Sequence, residues 1–179
     1  MNYFIVFLRA VTPTGTNRVP MAELRVLLQK NGFFEVRTYI QSGNVLLRTS
    51  LGAREVEKKV RSLIKKNFGG DLDTFALTPQ ELDRILFESP FKKFDGKRHY
   101  YTLLSEAPGA AARKAFAEID FHPDKFELKG TVIYAEYKTL ISESKYNNNF
   151  FEKRLSLRAT TRNHNTMFKL LEIARQKDV

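Results

Sequence analysis

Apolar positions along the chain change period several times, and each change marks an element. From Tyr3 to Arg9 the chain is apolar, aromatic and β-branched on both faces, which predicts a buried strand. A turn-rich stretch, Thr12-Pro13-Thr14-Gly15-Thr16-Asn17, follows it. Pro20 then stands where a helix accepts proline, in the first turn. Met21, Leu24, Leu27 and Leu28 repeat at helical spacing up to the stop at Asn31-Gly32. Phe34 to Gln41 alternates as a strand, with Val36, Thr38 and Ile40 on one face. Ser42-Gly43 predicts a two-residue hairpin turn, and Asn44 to Thr49 the returning strand. Val56, Val60, Leu63 and Ile64 mark a second helix, closed by Gly69-Gly70. Leu72 to Leu77 is a short strand. Thr78-Pro79-Gln80-Glu81 matches a helix-start box, threonine as cap and glutamate three residues on.

The order repeats in the second half. His99 to Ser105 predicts a strand, and Ala110 to Ile119 an alanine-rich helix after Pro108-Gly109. Lys125 to Leu128 and Thr131 to Tyr137 form a hairpin about Lys129-Gly130. Lys145 to Leu155 is a helix with Phe150, Phe151 and Leu155 apolar, and Arg158 to Thr161 a short strand. A last helix runs from about Asn163 to Gln176. The expected class is therefore α+β: two ferredoxin-like βαββαβ halves plus a C-terminal helix. The halves are expected at residues 1–90 and 98–179, joined by a polar linker at 91–97. Helices cover one face of such a sheet. Tyr3 to Leu8 offers apolar side chains to both, so the uncovered face is expected to be buried too, most simply against the other half.

Three ordered motifs carry a family resemblance. They are Leu8-Arg9 with Asn17-Arg18-Val19-Pro20-Met21-Ala22-Glu23-Leu24-Arg25, then Thr38-Tyr39-Ile40-Gln41-Ser42-Gly43-Asn44-Val45, and last Ala159-Thr160-Thr161-Arg162-Asn163-His164-Asn165-Thr166. They resemble the bacterial family numbered 1697 among the domains of unknown function, over nearly the whole chain. The resemblance implies an α+β fold of two ferredoxin-like halves and no established activity. Two departures stand out. The family usually reads Leu-Arg-Gly-Ile-Asn-Val-Gly-Gly where this chain has Leu8-Arg9-Ala10-Val11-Thr12-Pro13-Thr14-Gly15. It usually has tryptophan at His164. A role that needs a glycine-rich loop or an indole does not carry over.

Composition narrows the chemistry. The absence of cysteine removes disulfides, thiol catalysis and cysteine-bound zinc. His99, His122 and His164 have no metal-ligand spacing, so neither a metal nor a cofactor is expected. The opening apolar run is too short for a signal peptide and nothing approaches a membrane span, so the expected location is cytoplasmic, with no membrane partner. The net charge of +10 is spread over both halves. Its densest strip, Arg54, Lys58, Lys59, Arg61, Lys65 and Lys66, reads as a solvated helix face that a polyanion can also use. Asn44-Val45-Leu46-Leu47-Arg48 lacks the aromatics on which RNA-recognition domains stack bases. Glu55/Glu57 and Asp71/Asp73 read as surface or turn residues.

Candidate ligand-binding residues fall in three places. In the loop from Thr12 to Arg18, backbone N–H groups with Arg9, Asn17 and Arg18 suit an anion; the plain alternative is a surface connection. Ser42 lies in the hairpin turn and Asn44 directly follows it, and turn chemistry alone accounts for them. Thr160, Thr161, Arg162 and Asn163 stand before the last helix, where Arg162 offers a bidentate grip on phosphate or carboxylate and the others serve equally as caps. Ser42 and His164 are the weak candidates for a reactive group. The first function expected is non-catalytic binding of a phosphate-bearing small molecule or nucleic acid in a cleft between the halves. Two alternatives stand beside it: an enzyme acting on an anionic small molecule, and a protein-interaction module.

Overall fold

The computed structural model describes residues 1–92 and 95–176. Two compact units divide the chain: Met1–Arg84 with the chain from Lys169 on, and Ile85–Phe168. The linker expected at 91–97 falls partly on residues 93–94, and the half expected at 98–179 ends on residues 177–179. Both stretches lie outside the described residues.

Among the described residues there are six α-helices and two four-stranded antiparallel sheets. The first sheet holds β1 (Asn2–Leu8), β2 (Phe34–Tyr39), β3 (Asn44–Thr49) and β4 (Thr74–Leu77), in the order β2-β3-β1-β4. Strand β1 is central, with Val6 opposite Val45 on one side and Ala76 on the other. Helices α1 (Met21–Lys30) and α2 (Ala53–Phe68) follow β1 and β3. Their apolar stripes, Leu24 and Leu28 on one and Val56, Val60 and Ile64 on the other, close over Phe4, Val6, Leu8, Val45 and Leu47. Each such side chain taken fully from water contributes about 1.5–3 kcal/mol. The opposite face of the sheet is also buried, at Ile5, Phe7, Leu46 and Phe75. Helix α3 (Pro79–Phe87) begins at the expected box: Glu81 N–H donates to Thr78 Oγ1 at 3.2 Å, and Thr78 N–H to Glu81 Oε2 at 2.7 Å.

The second unit repeats this order with β5 (His99–Leu104), α4 (Ala110–Ala117), β6 (Lys125–Lys129), β7 (Val132–Glu136), α5 (Asn148–Leu155) and β8 (Ala159–Asn163). Its sheet order is β6-β7-β5-β8. Helix α6 (His164–Arg175) follows at once. The helix-side core is aromatic where the first unit's is largely aliphatic. Phe121 lies 4.7 Å from Phe126 and 5.1 Å from Phe116 between ring centroids, and Phe126 meets Tyr137 edge-on at 5.2 Å. Hydroxyls inside this cluster find carbonyls: Tyr137 donates to Tyr146 O at 2.6 Å and Tyr146 to Asp120 O at 3.1 Å. Here too the other face is buried, at Tyr101, Leu103, Val132 and Tyr134.

Two details depart from the sequence pattern. The β2–β3 hairpin does not turn on Ser42-Gly43 alone. Its last pair is Tyr39 with Asn44, so residues 40–43 form a four-residue loop. Ile40 and Gly43 both take left-handed backbone there, at φ 50° and 80°. Ile40 therefore leaves the face of Val36 and stands half in solvent, 51% exposed. A register shift between Phe34 and Arg37 accompanies Glu35 at φ 48°, which breaks the alternation earlier in the same strand.

The two edge strands that end the βαββαβ runs share one device. In each, the preceding helix sends a glutamate to an edge N–H. Ala76 N–H donates to Glu57 Oε1 at 3.0 Å, and Ala159 N–H to Glu152 Oε1 at 2.9 Å. A part-buried N–H left without an acceptor costs about 1–3 kcal/mol. Glu57→Ala and Glu152→Ala should each lower the unfolding free energy by about that amount in urea titration, and the glutamine variants by less. Unchanged midpoints in both alanine variants would show that water serves these N–H groups equally well.

Candidate functional site

In the first unit, three connections meet at the end of the sheet where β1 finishes. Leu8 N–H donates to Gly43 O at 2.8 Å, and Arg9 N–H to Asp73 O at 2.9 Å. The loop after β1 is laced to itself: Thr12 N–H donates to Asn17 O, Arg18 N–H to Gly15 O, and Thr12 Oγ1 to Thr14 O. Gln41 Nε2 reaches across from the hairpin to Val19 O at 3.0 Å. Gly43 is required by space as well as by φ. A Cβ there would lie 2.7 Å from Val11 Cγ2 and 2.9 Å from Leu8 Cβ. Gly70 is required by space alone: a Cβ there would lie 2.8 Å from Thr16 O and 3.4 Å from Asn17 Cα.

This lacing brings five of the expected residues into one neighbourhood. Arg9 is half-buried and Arg18 exposed on the loop, Asn17 sits against Gly70, and Ser42 and Asn44 belong to the facing hairpin. Asn44 is fully buried and spends its amide on the turn: Nδ2 donates to Tyr39 O and to Ser42 Oγ, both at 3.1 Å. Ser42 Oγ thus accepts from an amide, an arrangement that does not raise its nucleophilicity.

The carboxylates beside this neighbourhood are occupied. Arg61 Nη1 lies 2.7 Å from Asp73 Oδ1, Arg61 Nε also holds Asp71, and Lys65 Nζ lies 3.0 Å from Asp71 Oδ2. Hydrogen bonds from Arg61 and then Lys65 pull the Asp71 carboxyl down to about 2. The same bond to Asp71 raises the Arg61 guanidinium. Two members of the basic strip are therefore clamped to acids, while Arg54, Lys58 and Lys66 stay exposed.

The second group of expected residues lies in the other unit, on β8 and the start of α6. Thr161 Oγ1 is 2.7 Å from Thr102 Oγ1 and donates to Asn148 Oδ1 at 2.6 Å, tying β5, β8 and α5 together. Asn163 Oδ1 accepts from Thr166 N–H at 2.8 Å and caps α6. Arg162 Nη1 donates to Thr160 Oγ1 at 3.0 Å and Thr161 O at 2.9 Å. Burial brings the guanidinium down to about 10, still a cation at neutral pH. His164 Nδ1 lies 2.8 Å from the hydroxyl of Tyr101. Burial pushes that hydroxyl up to about 12 and lowers the imidazole, with His99 adding to the second effect. At neutral pH the tyrosine keeps its proton and the histidine is uncharged.

Tyr101, Thr102 and Asn148 had no place in the expected site. They join it through contacts with partners 63, 59 and 13 residues away in sequence. No periodicity within one segment signals such a pairing. Among the described residues no group of three His, Cys, Asp or Glu side chains could hold a metal ion, and no helix is long and apolar enough to cross a membrane.

Two predictions follow from the first neighbourhood. Gly43→Ala forces a Cβ into Leu8 and Val11 and a left-handed residue into a bulkier form; it should destabilise by roughly 1–3 kcal/mol, measured by thermal or urea unfolding. Asp71 is held below its ordinary value of 3.8 in the folded chain. Its contribution is therefore complete above about pH 4 and lost as the pH falls toward about 2. Asp71→Asn should flatten the acid limb of the stability curve over that window; an unaltered limb would refute the clamp.

No curated protein matches this chain. Among solved structures it is similar to the conserved bacterial protein SP0830 from Streptococcus pneumoniae, at 17% identity and a TM-score of 0.77, over 98% of this chain and 99% of that one. At that identity the likeness concerns the fold. A family model described as a protein of unknown function, DUF1697, matches residues 1–134. With three-quarters of its length under that model, the chain belongs to the DUF1697 family.

Proposed function

We propose that this protein binds a phosphate-bearing ligand without transforming it, and that Arg9, Asn17 and Arg18, with Ser42 from the facing turn, form the anion grip. The observation that supports the reading is the lacing of the β1–α1 loop to the β2–β3 hairpin, from Leu8 N–H to Gly43 O and from Gln41 to Val19 O. It holds two guanidinium-bearing positions on a constrained backbone, so little ordering is needed when an anion arrives. Asp71 and Asp73, the acids nearest this end of the sheet, are matched by Arg61 and Lys65. Their negative charge therefore does not oppose an anion at full strength. The net charge of +10 draws such ligands toward the protein.

The same proposal takes each βαββαβ run as a ferredoxin-like unit, a reading that the strand orders β2-β3-β1-β4 and β6-β7-β5-β8 support. It takes the halves as residues 1–90 and 98–179 and the location as cytoplasmic.

Fluorescence anisotropy with labelled adenosine triphosphate and labelled single-stranded DNA, at low and at physiological salt, tests the grip. Binding should weaken with salt and survive at physiological ionic strength. Arg9→Ala and Arg18→Ala should each weaken it about tenfold and make it less salt-dependent. Absence of binding to both probes at low salt would overturn the reading.

A further inference from the structure

We infer that the phosphate-bearing ligand is a nucleotide, and that its sugar and base lie in the cavity between α1 and the end of α2. The inference rests on the anion-binding reading and adds to it a second contact, one that inorganic phosphate cannot make.

The cavity holds about 500 Å³, within the ~300–1,000 Å³ usual for small-ligand sites. Helix α1 supplies Ala22, Glu23, Val26, Leu27 and Lys30, and the last turn of α2 supplies Asn67 and Phe68. Leu27 and Phe68 are half-buried, and Val26 is 44% exposed. Ala22, Val26 and Lys30 follow one another at single helical turns, a row about 12 Å long.

One end of this cavity adjoins the anion grip, and every residue involved belongs to the first unit. Gly70, which packs against Thr16 and Asn17, lies just beyond Phe68 in the chain. Two residues of chain span no more than about 8 Å, so Phe68 stands beside the loop that carries Asn17 and Arg18. From the other side, Arg18 precedes Ala22 by a single short segment, Val19-Pro20-Met21. Pro20 is the N-cap of α1 and brings no side-chain acceptor to its first turn. The N–H groups and the positive dipole end of that turn therefore add to the grip on a phosphate.

The order of groups along the cavity matches the order of groups in a nucleotide. Phosphate meets Asn17, Arg18 and the start of α1. The Glu23 carboxylate comes next, an acceptor for ribose hydroxyls. Phe68, Val26 and Leu27 then offer apolar surface to the faces of a base. Asn67 commits its Nδ2 to Leu63 O at 2.8 Å, which leaves Oδ1 to accept from an exocyclic amine. Lys30, at the far end of the row, is a donor for a ring nitrogen or carbonyl. A fatty chain needs an apolar lining throughout, and a protein partner a contiguous apolar patch of several hundred Å². A lining that is apolar at its centre and polar at its margins suits a nucleoside.

Isothermal titration calorimetry of the full chain with adenosine triphosphate and with inorganic tripolyphosphate separates the two contacts. Tripolyphosphate carries at least as much negative charge and no nucleoside. The wild type should bind adenosine triphosphate about tenfold more tightly, the scale of one base taken from water. Arg18→Ala should weaken both ligands by a similar factor. Val26→Asn sets an amide in the middle of the cavity; it should bind the two ligands alike, with its tripolyphosphate affinity unchanged. Position 26 is exposed, so this variant should melt with the wild type. The chain has no tryptophan, so Val26→Trp adds a lone indole, whose fluorescence adenosine triphosphate should quench and tripolyphosphate should not. Equal affinity of the wild type for the two ligands would overturn the inference and leave the anion grip standing. An unchanged preference in Val26→Asn, or an unquenched indole in Val26→Trp, would do the same. Binding of neither ligand, or wild-type binding of both by Arg18→Ala, would remove the grip and the inference with it.

Discussion

The central strand of each sheet carries apolar side chains to both of its faces, and much of the structure answers that one constraint. Ile5 and Phe7 point one way from β1, and Phe4, Val6 and Leu8 the other, and all five are buried. Strand β5 divides likewise between Tyr101 with Leu103 and Leu104. A strand buried on both faces has no solvent to hydrogen-bond its backbone. It must be paired on both edges, and both central strands are. Helices α1 and α2 are amphipathic because each has one sheet face to cover, and α4 and α5 do the same in the second unit. The loops at the strand ends are drawn tight because the strand positions are fixed.

The two units meet this constraint with different materials. Aliphatic stripes from α1 and α2 fill the first, and interlocked aromatic rings fill the second. Rings bring polar handles into the interior, and each handle must be served. Tyr137, Tyr146 and Tyr101 all direct their hydroxyls to a partner. Polar networks therefore accumulate in the second unit, where Arg162 is also held by threonine and carbonyl oxygens.

The sequence was most readable where a local rule acts alone. The buried strand at Tyr3 to Leu8, the box Thr78 to Glu81 and the helix stop at Gly69 are each decided within a few residues. It was least readable where distant segments compete. The hairpin turn looked like two residues because Ser42-Gly43 favours a tight reversal. The end of β1 claims Gly43 O, however, and Asn44 spends its amide on Tyr39 O, which lengthens the loop and turns Ile40 outward. Among the candidate residues, grouping Arg9 with Arg18 was legible because they share one loop. The role of Asn163 as a cap was legible from the helix start. The bond between His164 and Tyr101 and the clamp of Arg61 on Asp71 and Asp73 depend on the folded register, which no single segment encodes.

The glutamates that close strands β4 and β8 have a meaning beyond their own hydrogen bonds. An outer strand with open N–H groups is a template on which another chain can lay a strand. In both sheets a carboxylate occupies part of that template and places a negative charge where an incoming backbone carbonyl would have to sit. Each sheet therefore ends where it does not only because the chain turns away, but because its last rung is already taken. The device guards one side of each sheet, the β4 and β8 side, and leaves β2 and β6 as the other two edges.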